Sequence, residues 1–417
     1  MLEVNLADTT FVFLASVLVM LMTPGLALFY GGMVRQKNVL STTMHSYTAL
    51  AIISIQWVFI GYTLAFGSDV FGIIGGLEHF FLNGVGFEPN AAYSSTIPEQ
   101  LFMLFQLKFA ILTPALISGA FAERMTFKSF IAFLLLWTTF AYDPLAHWVW
   151  GDGGWLRQLG ALDFAGGNVV HISSGVSALV LALFLGKRKN IQSAHPHHLP
   201  MMILGGGILW FGWFGFNAGS ALAINNVAIS AFMTTNTAAA AGALGWMAIE
   251  WKLKGKPSVV GFMTGALAGL VSITPAAGYV SVGSALIIGV FAALICYFTI
   301  NVLKQKFGYD DALDAFGCHG IGGIWGGIAT GLFASTQINA AGADGLFYGN
   351  YTLLIKQLIA IAATVGYSLV VTFLIIWIIS KFMKVRVSDS EEEIGLDLTQ
   401  HGETAYNEFQ VPNEVTA

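Results

Sequence analysis

Charged side chains are scarce in this sequence, and cysteine is scarcer. Asp, Glu, Lys and Arg make up 10% of the 417 residues, 56% are hydrophobic, and the mean hydropathy is +0.72. Soluble domains carry roughly a quarter charged residues, so an ordinary soluble protein is excluded. The two cysteines, Cys296 and Cys318, lie in different apolar segments and are interpreted as packed thiols. The composition favours an all-α protein that crosses a membrane several times.

Long apolar runs take the place of the missing charges. A helix needs about 20 apolar residues to cross a bilayer. By this measure the sequence predicts eleven transmembrane helices, near residues 9–31, 44–66, 99–121, 127–149, 165–186, 201–220, 228–251, 257–275, 279–302, 310–334 and 351–381. An odd number of spans places the two termini on opposite sides of the membrane.

The basic residues are unevenly distributed among the loops. Most of the Lys and Arg residues follow the odd-numbered spans: Arg35, Lys37, Arg124, Lys128, Lys187, Arg188, Lys189, Lys252, Lys254, Lys256, Lys304, Lys306, Lys381, Lys384 and Arg386. The opposite loops contain only Arg157. Because cytoplasmic loops are rich in Lys and Arg, the N-terminus is predicted outside and the C-terminus inside. The start, MLEVNLADTT, is acidic and does not resemble a cleavable signal peptide.

The composition changes sharply after the eleventh span. Residues 1–383 are predicted to form a transmembrane domain, and the polar, acidic residues 384–417 a cytoplasmic tail, whose composition alone is typical of a disordered end. Spans one to five (9–186) and six to ten (201–334) each form a set of five. A second set of odd size enters from the opposite side, which predicts two inverted repeats followed by an eleventh helix, 351–381.

Each set of five ends in a span that contains one histidine. His171 lies eight residues after Asp163, and His319 lies nine residues after Asp310. At 1.5 Å per residue both are about 12–14 Å deep, approached from opposite sides of a core about 30 Å thick. The spacing predicts two histidines at similar levels near the midplane, able to face each other.

Ionisable residues inside a membrane are rare and usually mark a pathway. Burial disfavours charged imidazole, so a facing pair is expected to be neutral, which suits a small hydrogen-bonding solute or a proton relay. Two alternatives stay open: each imidazole caps a carbonyl between helices, or the pair holds a haem iron.

Polar and aromatic residues gather at the predicted outer end. Asp163 would attract a cation there, and it would also cap the fifth helix, the role that the sequence FAGGN after it favours. Trp150 ends span four, and Ser220 lies near the end of span six. Tryptophan here is usually an interfacial anchor. An aromatic face beside a hydroxyl also traps cations.

Two phenylalanines and a tryptophan lie deeper in the spans. Phe109, in mid-span three, is either ordinary core or the plug of a narrow pore, and Trp213 and Phe216 lie in span six. The 48 glycines let helices approach closely, which predicts a narrow lumen. A narrow apolar conduit favours a small cation that can shed its proton, because burying the charge is costly.

These motifs resemble the ammonium transporter family (Amt/MEP/Rh), of the bacterial or archaeal Amt type. The resemblance rests on TPGLALFYGGMVRQKNVLS, GAFAERM, ALDFAGGNVVHISSG, WFGWFGFNAGSA, DAFGCHGIGGIWGG and the tail's GLDLTQHGETAY, in this order over essentially the whole chain. It implies eleven helices in two inverted halves of five plus a long eleventh helix, assembled as a homotrimer. It also implies a multi-pass transporter of the cell (inner or plasma) membrane, and not an enzyme.

The resemblance implies a role for each polar residue of the pore. His171 and His319 correspond to the twin histidines, and Asp163 to an aspartate at the entrance that is needed structurally. Trp150 and Ser220, with Phe109, correspond to an outer site that recruits ammonium.

The resemblance also implies the gate and the lining below it. Phe109 and Phe216 correspond to the stacked phenyl gate, and Trp213 to a pore-lining residue beneath it. The expected substrate is ammonium, passed on as ammonia, with methylammonium as an analogue; whether net charge moves stays open.

No metal, nucleotide or covalent cofactor is expected. The lipid bilayer is an expected partner, and a nucleic acid is not. The tail is expected to be a folded regulatory segment that a PII-type signal protein contacts. An ammonium sensor on the same scaffold is the alternative function.

Two features depart from this pattern. Lys108 is an unusual charge beside Phe109, and it is expected to face away from the pore, towards a subunit interface or an acidic partner. The loop AHPHH, His195 to His198, is interpreted as a solvated loop rather than a metal site.

Overall fold

The computed structural model describes residues 3–189 and 195–406. Eleven apolar helices follow one another in this part of the chain: α1 (Leu6–Met33), α2 (Gln36–Phe66), α3 (Glu99–Phe121), α4 (127–150), α5 (Gly167–Leu185), α6 (Leu199–Gly219), α7 (Asn226–Lys254), α8 (Val259–Ile273), α9 (Val282–Phe307), α10 (316–333) and α11 (Tyr351–Phe382). Nine of them are long and apolar enough to cross a membrane. The predicted class, an all-α membrane protein with many spans, is confirmed.

The two exceptions have simple causes. Helix α8 has 15 residues, which is shorter than the roughly 20 that cross a bilayer. Helix α10 is long enough but rich in glycine, which lowers its mean hydropathy. Its start also differs from the sequence prediction, because residues 310–314 form a non-helical connection before the helix begins.

Five of the helices contain a π-helical turn. These turns widen the helix by one residue and are frequent at functional sites. They lie in α2 (Trp57–Gly61), α4 (Thr138–Tyr142), α5 (Gly167–Ile172), α9 (Thr299–Leu303) and α10 (Phe316–Gly320). Two of the five therefore contain the histidines that the sequence singles out.

The long loop between α2 and α3 carries the strands, in two antiparallel hairpins. In the first, β1 (Asp69–Val70) pairs with β2 (Ile74–Gly75), and in the second β3 (Pro89–Asn90) pairs with β4 (Ser94–Pro98). The first hairpin is held to α4, because the Asp69 carboxylate lies 2.9 Å from Nε2 of His147. The short helix Trp155–Leu159 follows α4 at the same end of the bundle.

The described part of the tail, residues 384–406, is folded. Its short helix α12 (Asp389–Ile394) begins with a capping box between Ser388 and Glu391. The turn that follows contacts the start of the distant helix α2. The Asp397 carboxylate accepts from the backbone N–H groups of Leu40 (3.0 Å) and Ser41 (2.8 Å) in α2. The tail is therefore held by unpaired N–H groups at a helix start together with the burial of Val385, Val387 and Leu396.

An ion-pair cluster joins the same end of the bundle. Asp310 lies 2.7 Å from Arg124 and 2.9 Å from Arg188, and Glu123 lies 2.8 Å from Arg35 and 3.2 Å from Arg188. Burial alone raises the pKa of Asp310, but the hydrogen bonds and charge of Arg188, with the charge of Arg124, outweigh it and lower the pKa. Arginine contacts likewise outweigh burial at Glu123 and lower its pKa.

Candidate functional site

The two histidines meet inside the bundle. Nδ1 of His171 lies 3.2 Å from Nδ1 of His319, and the ring planes are 22° from parallel with centroids 5.3 Å apart. Both are buried, with 0% and 6% of their surface exposed. One N–H···N hydrogen bond fits this distance when both rings are neutral. Nε2 of His171 is buried and has no hydrogen-bond partner among the described residues.

Each histidine helix starts at an aspartate that caps it. Both Asp163 oxygens accept backbone N–H groups, from Gly166 (2.8 Å), Gly167 (2.6 Å), Asn168 (2.7 Å) and Val169 (3.4 Å). The predicted helix-start geometry of Asp163 is therefore present. Both carboxylate oxygens thus accept hydrogen bonds from the start of the helix that contains His171.

The counterpart of Asp163 is Asp311, and the pairing of His319 with Asp310 was wrong. Asp311 accepts from the N–H groups of Ala315 (3.1 Å) and Phe316 (2.7 Å), at the start of α10, whereas Asp310 faces two arginines. Asp311 precedes His319 by eight residues, the same spacing as Asp163 to His171. That equal spacing was the signal available in the sequence.

Glycines let the two histidine helices touch, and they do so reciprocally. A Cβ on Gly175 would overlap the backbone nitrogen of Gly320, and a Cβ on Gly323 would lie 3.1 Å from the backbone nitrogen of Ile172. Each glycine lies four residues after the histidine of its own helix. Each touches the residue directly after the other histidine. Larger side chains at either position would push the histidines apart.

Aromatic rings close the space on one side of the pair. The rings of Phe109 and Phe216 lie 4.3 Å apart, and Phe216 lies 6.0 Å from the ring of His171. Trp213 stacks on His171 at 5.4 Å and 21°. Its indole N–H donates to the Thr274 hydroxyl at 2.9 Å, which fixes the orientation of the ring. The predicted gate and lining residues therefore form one stack that ends at His171.

Beyond the two phenylalanines lies an open cavity of about 630 Å³. Trp150, Ser220, Phe109 and Asp163 all line it. The Ser220 hydroxyl donates to the Phe216 carbonyl at 2.8 Å, so its oxygen lone pairs remain free to accept from a cation. The edge of Trp150 meets Phe109 at 5.9 Å, and its N–H is bound to the Asp163 carbonyl at 3.0 Å. The cavity thus offers aromatic rings and one acceptor to a small cation.

Gln106 is a lining residue that the sequence analysis did not single out. It borders the same cavity as Phe109, and its buried Oε1 has no hydrogen-bond partner in the described chain. An amide oxygen held in this way can accept one more N–H donor. The available signal was a polar residue inside the apolar run FQLKF, three residues before Phe109.

Two small cavities border His319 on the far side of the pair. They measure about 10 and 20 Å³, and Leu and Phe side chains form much of their walls. A water-sized molecule needs about 10–15 Å³ measured in this way. Each cavity therefore has room for about one molecule of that size, and His319 and Tyr30 are the polar residues that line the smaller one.

Lys108 and the histidines of the loop before α6 lie outside this path. Lys108 is half-buried, borders none of these three cavities, and makes no ion pair within the described chain. In the loop before α6, His198 caps the helix by accepting from the N–H of Met201 at 3.0 Å, and His197 joins the Val34 carbonyl (2.9 Å) to the Tyr406 hydroxyl (3.1 Å). The described residues contain no group of three or more His, Cys, Asp or Glu side chains arranged to hold a metal ion.

Comparisons with known proteins agree over nearly the full length. The sequence profile described as "Ammonium Transporter Family" matches residues 10–406. The chain is 60% identical to an ammonium transporter of Bacillus subtilis over 97% of this chain and 99% of that one. It is 48% identical to ammonium transporter Amt1 of Archaeoglobus fulgidus, over 96% and 99%.

Solved structures give the same result. Saccharomyces cerevisiae Mep2 matches with a TM-score of 0.89 and 39% identity, over 98% of this chain and 93% of that one. A structure named "Sensor Amt Protein" matches with a TM-score of 0.86 and a lower identity of 28%, over 95% and 98%.

Proposed function

The chain belongs to the ammonium transporter family, and from this premise we propose that it recruits ammonium in the outer cavity and conducts ammonia past the paired histidines. It is a multi-pass membrane protein and an ammonium transporter. The observation that carries the proposed path is the 3.2 Å contact between His171 and His319. This contact lies between a closed aromatic stack and cavities that each fit about one small molecule.

Recruitment follows from the chemistry of the outer cavity. Ammonium carries a positive charge and four N–H donors, so it is attracted by the rings of Trp150 and Phe109 and can donate to Ser220. A cation–π contact of this kind contributes about 0.5–2 kcal/mol, depending on how far the cation is desolvated. The backbone-bound carboxylate of Asp163 lies at the same cavity and adds a favourable negative charge.

The proton leaves before the solute passes the phenylalanines. Moving a bare charge into this apolar interior costs far more than moving a neutral molecule. Neutral ammonia retains a lone pair and three N–H groups, which match a neutral imidazole that can accept or donate. His171 and His319 also offer a continuous N–H···N route for the proton, so an electrogenic cycle and an electroneutral one share the same residues.

The orientation and assembly belong to the same proposal. Fifteen basic residues after odd-numbered spans support an outer N-terminus, an inner C-terminus and eleven transmembrane helices. The reciprocal contacts of Gly175 and Gly323 support two inverted halves of five helices. We place the protein in the cell membrane as a homotrimer. The tail from residue 384 onwards is proposed as a regulatory segment open to a PII-type signal protein.

An ammonium sensor is the second candidate, favoured by the structural match to a protein of that name. The higher identity to proteins named as transporters supports the first. The two are separated by an ammonium concentration jump on proteoliposomes, with protein-free liposomes as the control. A flux or current that saturates with ammonium is the expected result. Vesicles with intact oligomers and no flux above the control would overturn transport.

A further inference from the structure

Helix α11 buries a stripe of polar side chains. Gln357, Thr364, Ser368 and Thr372 are all 0% exposed, although the helix around them is strongly apolar. Their spacing places them on one face of the helix. This face packs against α5 and α10, the two helices that carry the histidines. Polar groups inside a membrane need hydrogen-bond partners within the protein, so the partners of these side chains show which helices the stripe connects.

Gln357 differs from the other members in what it binds. Its Oε1 accepts from the N–H of Leu162 at 2.7 Å, and its Nε2 donates to the Leu162 carbonyl at 2.8 Å. Nε2 also lies 3.3 Å from the carbonyl oxygen of Gly327, in α10. Thr364 binds Asn168 of α5 at 3.3 Å, and Thr372 binds Ser177 of α5 at 2.7 Å and accepts from the indole N–H of Trp137 in α4 at 3.0 Å, so neither of them reaches α10.

The positions of the partners matter more than their number. Leu162 directly precedes Asp163, which caps the helix of His171, and it lies nine residues before that histidine. Gly327 lies eight residues after His319. On both sides the amide is therefore displaced from the pair by eight or nine residues of chain. One side chain joins the two histidine-bearing segments at the same end.

We propose that Gln357 is a positioning residue for the histidine pair, which sets the separation of His171 and His319 by tying the Leu162 turn to Gly327. The proposal rests on the proposed function only where transport is the readout. Substitution of Gln357 by leucine removes all three hydrogen bonds and leaves the two polar groups of Leu162 without their partner. The histidines then lose the outer tie between their helices and retain only the glycine contacts.

The direct test is the hydrogen bond between the histidines. Trimers labelled with 15N-histidine are reconstituted in lipid, and the coupling between the two Nδ1 atoms is measured by solid-state NMR. We expect the coupling in the native protein, its loss in Gln357→Leu, and its retention in Thr372→Val. The Thr372 variant is the matched control, because it removes buried hydrogen bonds from α11 to Ser177 in α5 and to Trp137 in α4 without touching α10.

Transport gives the second readout. In Gln357→Leu the maximal ammonium flux is expected to fall about tenfold, as for a small misplacement of reacting groups, while the half-saturating concentration stays within about twofold because the outer cavity is unchanged. A purely structural loss would lower the amount of assembled protein and leave the flux per trimer unchanged.

Each outcome decides a separate question. Unchanged coupling in assembled Gln357→Leu overturns the proposal, and so does equal loss of coupling in Thr372→Val. Should the leucine variant fail to assemble, Gln357→Glu takes its place. The neutral carboxylic acid of this variant can accept from the N–H of Leu162 but can donate only one hydrogen bond, so it cannot bind both the Leu162 and the Gly327 carbonyl. A reduced coupling between the histidines supports the proposal, and a native coupling contradicts it. A native protein without flux would overturn transport alone, since the NMR comparison does not depend on it.

Discussion

Asp163 and Asp311 perform the same task at opposite ends of the bundle. Each carboxylate caps the helix that reaches a histidine eight residues later, and the two histidines meet with their Nδ1 atoms 3.2 Å apart. In both cases the histidine lies in the π-helical turn that follows the cap, Gly167–Ile172 or Phe316–Gly320. Each half of the pair therefore has the same arrangement of aspartate cap, π-helical turn and histidine, which is expected of inverted repeats.

Replacing Asp163 by alanine is expected to impair assembly and transport together. Four backbone N–H groups lose their acceptor, and each buried group left unpaired costs about 1–3 kcal/mol. The yield of assembled trimer and its thermal transition are the measurements. Asp152→Asn, at an exposed position near the same cavity, is the control. Full yield with native flux in Asp163→Ala would contradict the capping role.

Removing the indole of Trp150 is expected to weaken recruitment. In Trp150→Leu the half-saturating ammonium concentration should rise about 2- to 30-fold, the loss of ~0.5–2 kcal/mol of cation–π attraction. Trp150→Phe is the matched control, since it keeps an aromatic face but loses the N–H donated to Asp163. An unchanged half-saturation in the leucine variant would remove Trp150 from the recruitment site.

Shortening the stacked phenylalanines is expected to open the path to water. Phe109 and Phe216 separate the outer cavity from His171, so Phe216→Leu should raise the osmotic water permeability of proteoliposomes severalfold. Stopped-flow light scattering measures this permeability. Phe102→Leu is the control, because its ring stacks on Tyr93 in the wall of the cavity at 4.8 Å, away from the stack. Equal permeability in Phe216→Leu and the native protein would show that these rings do not close the path.

The ion-pair cluster of Glu123 and Asp310 predicts a loss of stability in acid. Folding lowers the pKa of both Glu123 and Asp310, so their ionised forms stabilise the fold above their ordinary pKa range of about 4. This contribution is lost as the pH falls through the lowered values. The thermal transition of the trimer should therefore drop steeply below about pH 4.

Two variants separate this cluster from general acid effects. In Glu123→Gln the transition is expected to be lower already at pH 7, because the arginines lose a buried partner at a cost of about 3–5 kcal/mol, and its further decline in acid should be shallower. Glu403→Gln, at an exposed position in the tail, should follow the native curve. A native curve for Glu123→Gln would rule out the cluster as a source of stability.

The sequence predicted a bundle of many apolar helices and the contact between the two histidines, because apolar length and linear spacing are local properties. The choice between two adjacent aspartates was different. Which of Asp310 and Asp311 caps α10 depends on the path of the connection, where Asp314 adopts a left-handed conformation with φ of 60°. A residue count along the chain contains no such information.

Long-range contacts were out of reach for the same reason. The bonds from Gln357 to Leu162 span 195 positions, and the Asp397 cap on α2 spans 356–357. The composition of the tail is typical of a disordered segment, yet the tail folds because it caps a distant helix start and buries Val385, Val387 and Leu396. The partners of such residues become visible only when the helices are placed together.

The histidine contact is tested most directly by flux and selectivity in His171→Ala and His319→Ala. Reconstituted trimers of the native protein and of both variants receive matched jumps of ammonium and of potassium chloride, and the transported charge and the uptake of each ion are measured. We expect saturable ammonium flux with little potassium response in the native protein, and either lost flux or lost discrimination in both variants with trimers intact. Native flux and native selectivity in both single variants would contradict it.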